Sequence, residues 1–512
     1  MSAGHQDGLK MARGSLTRRV GVVAIGRAAS TFSILAVNAL LTRAWPEPEF
    51  GAQFAGFSVV WMLGNTLVPI FLLGLPTSLL YFFPRREKEN RRALVRQIFF
   101  CLLGSGVLLV LLLWLAGSRL ADVLEIESAA GAFDLGIFLL PFLPYVFSLV
   151  AGGGIEAVLV AAGRPHWQAG LALIQAAALV GVAALARWLS LDAQQVLLAF
   201  SLLGTMRLLA GLWLVGRILG YAGGASRAGL GECLRYTWSI GLNDAVGSMS
   251  RSVDRFVVLS FFQLEQFAPY HLGAIEVPVS LLLAAAVTVL VPEVSRLYQH
   301  GQMEEIGTLW HRAVSRLSLL VLPIFFFLFF FADALIAVYL EKGYRGSTEW
   351  VFRIFLLALP LRCAIYNPFL VGMGKASWAL WGGLGDLLLN VALSIAFVLI
   401  LQRVQPQWAL LGPALATVVA TYVQVAFLVA FIGRHLKWRL TRLLPWKFLL
   451  RMAFFSCVAA LTGLWVASFV VPPLAKLFLG GFVFGVVLAL LVGRQAQRRA
   501  EAVQVFKDLF RI

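Results

Sequence analysis

The chain has 512 residues, of which 60% are hydrophobic and only 13% charged. Soluble domains carry roughly 25% charged residues, so this balance, with a mean hydropathy of +0.86, excludes an ordinary soluble protein. The net charge of +17 does not point to nucleic acid, because the Lys and Arg runs flank apolar spans and no soluble domain presents them.

Residues 1–19 form a polar, basic tail. The apolar stretch from Val20 to about Leu41 is too long for a signal-peptide core and is followed by no small-residue cleavage site, so it reads as a retained first span. A bilayer needs about 20 apolar residues per helix. On that basis fourteen spans are expected, starting near residues 20, 55, 97, 131, 168, 194, 234, 271, 314, 350, 377, 409, 449 and 475. The loops between them alternate. Of the 42 Lys and Arg residues, 29 fall on one side, including the run from Arg85 to Arg96, and 7 on the other. The positive-inside rule then places both termini in the cytoplasm. Cys101, Cys233, Cys363 and Cys457 are scattered without CxxC spacing and read as small hydrophobes, with neither a metal site nor a disulfide framework.

The expected seventh span is unusual. Trp238 to Gln263 is long enough to cross a bilayer as one helix, yet it holds Asp244, Arg251, Asp254 and Arg255. Each charge at mid-membrane costs roughly 2.5–3.5 kcal/mol on insertion scales, so the four need partners or a wet cavity. On one continuous helix Asp244, Ser248, Arg251 and Arg255 share a face, with Asp254 to the side. The stripe either faces a central cavity or neutralises itself within the helix.

An internal repeat frames it. EPEFGAQFAG (Glu47 to Gly56) follows the first span and LEQFAPYHLG (Leu264 to Gly273) follows the seventh. Leu75-Pro76 is matched by Val291-Pro292, and AAGRPHW (Ala161 to Trp167) by GMGKASW (Gly372 to Trp378). Six spans per half give repeats of the same orientation, an arrangement that commonly encloses a substrate path. The expected fold is an all-α integral membrane protein of about fourteen transmembrane helices: two pseudo-symmetric six-helix lobes around a central cavity, plus two C-terminal helices. The divisions are a tail (1–19), an N-terminal lobe (20–217), a linker (218–233), a C-terminal lobe (234–433), the last two helices with their basic loop (434–493) and a tail (494–512).

The segments LLTRAWPEPEFGAQF (Leu40 to Phe54), GLPTSLLYFFPRRE (Gly74 to Glu87), VDRFVVLSFFQLEQFAPY (Val253 to Tyr270), VLVPEVSRLYQHG (Val289 to Gly301) and FLVGMGKASW (Phe369 to Trp378) resemble the polysaccharide-transporter flippases of the multidrug/oligosaccharidyl-lipid/polysaccharide (MOP) exporter superfamily. The resemblance covers nearly the whole chain; Ala268-Pro269 departs from the family's usual Val-Gly. It implies two lobes enclosing a cavity lined by helices 1, 2, 7 and 8. It also implies translocation of polyprenyl-pyrophosphate-linked O-antigen or exopolysaccharide repeat units across the bacterial inner membrane, for lipopolysaccharide or other surface polysaccharides. The implied partners are the lipid-linked oligosaccharide and membrane lipid, with polysaccharide polymerase and chain-length machinery as further candidates. A monomer is expected, without nucleic acid, metal or cofactor.

Arginine suits a diphosphate, because its guanidinium donates as a planar fork and keeps its charge when desolvated. Arg27, Arg251 and Arg255 are therefore the candidates for binding the headgroup. Asp244, Asp254, Glu276 and Asp386 are candidates for coupling or gating, and Arg207 and Arg362 for extending a cationic route. The repeat aligns Arg27 with Asp244, which suggests a contact formed in one access state and broken in the other. Glu156, near a span end, reads as snorkelling to water. Prolines 76, 141, 144, 292, 360 and 368 are expected to interrupt helices. Gly374-Lys375-Ala376-Ser377 lacks the spacing of a phosphate-binding loop, and no HExxH or GxSxG stands in the chain, so an enzyme is not expected. The alternatives are a multidrug or small-molecule exporter of the same superfamily and a membrane polymerase or ligase, the latter disfavoured by the short loops.

Overall fold

The computed structural model describes residues 3–46, 51–123, 134–220, 230–275, 277 and 279–496. Among these the regular structure is entirely helical, because a backbone crossing hydrocarbon must satisfy its own hydrogen bonds. Twelve helices among the described residues are long and apolar enough to cross a membrane, and the chain is a multi-pass membrane protein. Helices also occupy the expected spans near residues 234 and 271.

The chain forms two compact units, Met1–Ala268 and Pro269–Ile512. The first holds α1 (Ala3–Ala44), α2 (Gly51–Phe71), α3 (Leu75–Phe82), α4 (Lys88–Val123), α5 (Leu135–Ala151), α6 (Gly153–Ala161), α7 (Pro165–Trp188), α8 (Ala193–Leu219), α9 (Leu230–Ser250) and α10 (Val253–Phe261). Within it α1 lies along α7, α5 packs against both α4 and α8, and α9 runs beside α2 and α3. Close approach of α1 and α7 depends on Gly26, where a Cβ would come within 3.1 Å of the Ala169 Cα. Phe57, Trp61, Phe142, Tyr145 and Phe200 form an aromatic core; Trp61 stacks on Phe57 at 5.5 Å and on Tyr145 at 5.6 Å. Trp61 is thus a packing group.

Several spans are interrupted, and the freed backbone groups find partners on neighbouring helices. In α5, Pro141 and Pro144 stand inside the helix. There the Ser201 hydroxyl of α8 donates to the Pro141 carbonyl at 2.5 Å and accepts from the Tyr145 N–H at 3.2 Å, taking the place of one ladder bond. Between α2 and α3, Leu73 and Gly74 both take left-handed φ, 52° and 68°. Ser105 donates to the Phe71 carbonyl at that break. Pro69, inside α2, also removes a donor; Ser248 of α9 donates nearby to the Thr66 carbonyl at 2.9 Å and, more weakly, to that of Asn65 at 3.4 Å. Of the expected proline sites, Pro76 opens α3 and Pro292 lies inside α12, while Pro69, Pro269 and Pro323 are further interior prolines.

α11 (Leu264–Gly273) spans the division between the units. The second unit continues with α12 (Ser280–Gln299), α13 (Met303–Phe330), α14 (Ala332–Tyr339), α15 (Arg345–Leu356), α16 (Tyr366–Gly372), α17 (Ala376–Val404), α18 (Gly412–Leu436), α19 (Leu440–Leu443), α20 (Trp446–Ala467) and α21 (Pro473–Ala496). Pro360 opens a short 3-10 turn after α15 and Pro368 lies in the first turn of α16. The α17–α18 hairpin is joined by Asn390, whose Oδ1 accepts from Ser394 at 3.0 Å and Thr417 at 3.2 Å. The α20–α21 hairpin packs on α13 and α14, where the buried Phe331 ring occupies the space left by Gly480.

The repeat read from AAGRPHW and GMGKASW reappears bond for bond. Gly163 and Gly374 take φ of 76° and 70°. The Arg164 N–H donates to the Leu159 carbonyl at 2.8 Å, and the Lys375 N–H to the Leu370 carbonyl at the same distance. Trp167 and Trp378 then start the next helix with matching bonds to Arg164 and Lys375. Both turns end a helix in the left-handed conformation that glycine adopts without steric cost.

The α2–α3 break makes two substitutions informative. A Cβ at Gly241 of α9 would lie 2.7 Å from the Leu73 carbonyl carbon, and Gly241→Val should cost about 1–3 kcal/mol through overpacking. Leu73→Gly relieves a left-handed residue, worth about 1–2 kcal/mol, against about 0.5–1 kcal/mol of added chain entropy. Thermal unfolding of the two purified variants should therefore show Gly241→Val melting well below the parent and Leu73→Gly at or slightly above it.

Candidate functional site

The charged stripe does not lie on one continuous helix. α9 ends at Ser250 and α10 begins at Val253, so the helix expected over Trp238 to Gln263 is broken at Arg251–Ser252. Serines flank the break, and those at 248 and 252 are bonded to α2. Ser252 donates no cap; instead its Oγ accepts from the Thr66 hydroxyl of α2 at 2.7 Å.

The break sorts the four charges. Asp244 and Arg251 are exposed on α9 and just beyond it. The Arg251 side chain folds back over Gly247, its Nη1 3.4 Å from where a Gly247 Cβ would stand, and acts electrostatically on Asp244. Arg255 turns back on the break, Nη1 donating to the Arg251 carbonyl at 2.6 Å. It therefore supplies the donor that the end of α9 lacks, besides any charge it offers. Asp254 is 1% exposed and faces the protein interior.

Arg27 is exposed on α1, one residue from the Gly26 contact with α7. Among the described residues no ion pair joins Arg27 to Asp244. Arg207 is engaged: Nη2 lies 2.5 Å from Oε1 of Glu156, and Gln168 approaches the other carboxylate oxygen at 3.5 Å. This triad ties α6, α7 and α8 together, so Glu156 is an intramembrane ion partner and does not simply snorkel. In the second unit Arg362, in the turn before α16, and Asp386, on α17, both lie within electrostatic reach of Tyr366. Glu276 lies outside the described residues. No group of three metal-ligating side chains occurs among the described residues. A 430 Å³ cavity at the start of α5 and α8, lined by Ile137, Leu140, Pro141, Gln194, Gln195 and Leu198, includes none of the candidates.

Sequence reasoning missed the hydroxyl contacts of α9 with α2, Thr66–Ser252 and Ser248–Thr66. Hydroxyls within the two segments were their only signal.

Interrupted, pseudo-repeated membrane helices carrying paired charges recur in known structures. Over 92% of its length the chain superposes on 99% of the lipid II flippase MurJ in an inward-closed conformation, with a TM-score of 0.69 at 14% identity. An inward-facing multidrug resistance MATE family transporter of the MOP superfamily matches 80% of this chain and 94% of its own, with a TM-score of 0.66 at 15% identity. A MOP superfamily transporter from Pyrococcus furiosus matches 83% and 95%, with a TM-score of 0.55 at 15% identity. No curated protein sequence matches. The family model described as polysaccharide biosynthesis protein matches residues 83–349, and the chain belongs to that family.

The Arg207–Glu156 pair is open to a direct test. Both side chains are partly exposed, 29% and 40%, so removing one should cost less than the roughly 3–5 kcal/mol of a fully buried pair. Arg207→Ala should lower stability by about 1–3 kcal/mol, and adding Glu156→Gln should restore at least half of it. A double-mutant cycle in thermal unfolding reads both terms; additive losses would show that the pair contributes nothing.

Proposed function

We propose that this protein is a flippase that carries a polyprenyl-pyrophosphate-linked oligosaccharide from the cytoplasmic to the periplasmic leaflet of the bacterial inner membrane, by alternating access. The observation that carries the reading is membership of a polysaccharide biosynthesis family on a fold that matches a lipid II flippase over 92% of the chain. The charge pattern supports it. Arg27 is exposed on α1 and Arg251 just beyond α9, and a cation in a membrane protein is tolerated where it faces water or an anionic ligand. A diphosphate offers several acceptor oxygens to such guanidiniums. Arg255 contributes charge nearby while bracing the break. In this reading Asp244 holds Arg251 when substrate is absent, and Asp254, Glu276 and Asp386 remain candidates for coupling or gating. Arg207, held by Glu156, shapes the first unit, and Arg362 stays a candidate for the cationic route.

The two expected lobes, 20–217 and 234–433, enclose the path, both termini lie in the cytoplasm, and the product supplies polysaccharide polymerase and chain-length machinery. The runner-up is a multidrug exporter, favoured by the MATE likeness. That likeness accounts for 80% of this chain against 92% for the flippase, and a small drug needs no diphosphate-binding arginines.

Reconstituted vesicles loaded with a defined undecaprenyl-pyrophosphate oligosaccharide decide the matter. The wild-type chain should translocate it, and Arg251→Ala and Arg27→Ala should each lower the initial rate at least tenfold, with Arg251→Lys recovering part of the loss. Arg255→Ala should lower both rate and stability. Translocation of a cationic dye with none of the lipid-linked glycan would establish the exporter; unchanged rates in both Arg27 and Arg251 variants would remove them from the site.

A further inference from the structure

The start of α9 is held to α3 by a set of contacts unlike those further along the helix. Arg86, just after α3, donates from Nη2 to Oε2 of Glu232 at 2.8 Å. One turn along α9 the Tyr236 ring stacks on Tyr81 at 4.7 Å and 22°, and Phe82 meets it edge-on at 5.5 Å. The Arg85 guanidinium covers the outer side of this stack, 3.5 Å from the Tyr81 centroid. Beneath them Cys233 is fully buried, packed into one core with Leu75, Leu79 and Phe82.

Further along α9 the contacts change in kind. Gly241 meets the Leu73–Gly74 backbone with no room for a Cβ on either side, and Ser248 and Ser252 bond to α2. The Gly241 crossing and the Ser248 bond are short contacts to backbone that shift little without rupture. The starting contacts are made by side chains alone, and at the ion pair by side chains open to solvent: Glu232 is 64% exposed and Arg86 27%. An exposed ion pair, a ring stack and a cation–π contact each bias an equilibrium by roughly tenfold or less. Together they can hold one arrangement without fixing it.

We infer that Arg86–Glu232 and the Tyr81–Tyr236 stack under Arg85 form a releasable latch between α3 and the start of α9, with the Gly241 crossing as its pivot. Release uncovers Cys233 and tilts α9, the helix that carries Asp244 and leads into Arg251. The latch rests on the flippase reading for its purpose only, since its opening is read without any substrate.

Cys233 reports on it. In the full-length protein in detergent micelles, with Cys101→Ser, Cys363→Ser and Cys457→Ser, alkylation of Cys233 by a hydrophilic maleimide should be slow. Arg86→Ala and Tyr236→Ala should each speed it at least fivefold, and the exchange Arg86→Glu with Glu232→Arg should return it to within about threefold of the parent. A companion protein that keeps only the buried Cys363 of the second unit should label at an unchanged rate in every variant. Unchanged Cys233 labelling in both single variants, equal acceleration at Cys363, or an exchange variant as fast as Arg86→Ala would each overturn the latch. Loss of glycan transport with Cys233 behaving as expected would sink the flippase reading and leave the latch standing; normal transport with inert Cys233 kinetics would do the reverse.

Discussion

A carbonyl or N–H left without a partner inside a bilayer costs several kcal/mol, and this chain repeatedly interrupts its membrane helices. The interruptions survive because another helix reaches in. Ser201 bridges the kink in α5, Ser105 meets the carbonyl freed after α2, Ser248 serves the carbonyls before Pro69, and Arg255 turns back onto the end of α9. Each repair comes from a side chain that must arrive at one position and angle. Three of the four come from a helix distant in the chain, so the breaks set helix-to-helix register within the first unit. The hydroxyls matter more for where helices sit than for how strongly they bind, since hydrogen bonds between membrane helices average well under 2 kcal/mol.

The same constraint apportions the charges. An ion in the apolar layer must find a counter-ion, a polar backbone group or water. Arg207 finds Glu156, Arg255 finds the Arg251 carbonyl, and Asp254 turns inward. Among the described candidates of the first unit, what stays exposed is a shorter set than the sequence offered: Arg27 on α1, Asp244 on α9 and Arg251 just beyond it. The stripe's arginines differ in how they are held. Arg255 is bound into the architecture through the Arg251 carbonyl, whereas Arg251 is exposed and acts electrostatically on Asp244.

Much of this was legible in the sequence. Span length and loop charge report free energies of transfer residue by residue, so the membrane class and the helices followed from composition. The AAGRPHW and GMGKASW pair carried over as two turns of one geometry, because a glycine that closes a helix in the left-handed region is a local requirement. The losses are non-local. Glu156 and Arg207 stand 51 residues apart, Thr66 and Ser252 186, and nothing in either segment names its partner. The break at Arg251–Ser252 was hidden differently: the serines that flank it also fitted a polar stripe, and their bonds to α2 are non-local.

The position of α9 shows why a sequence repeat and a packing unit need not coincide. By sequence α9 opens the second repeat, yet it buries Cys233 in the core of the first unit, crosses the α2–α3 break at Gly241 and bonds through Ser248 to α2. A repeat boundary follows gene duplication, whereas a packing boundary follows where small residues let backbones approach and hydroxyls find carbonyls. The helix that begins one half is therefore mechanically attached to the other, and any movement of Asp244 and Arg251 must strain or release contacts with α2 and α3. Charges placed on such a helix respond to packing far from themselves. A substitution at Tyr236 or Gly241, which bears no charge, should thus shift how Arg251 is presented as surely as a change at Asp244.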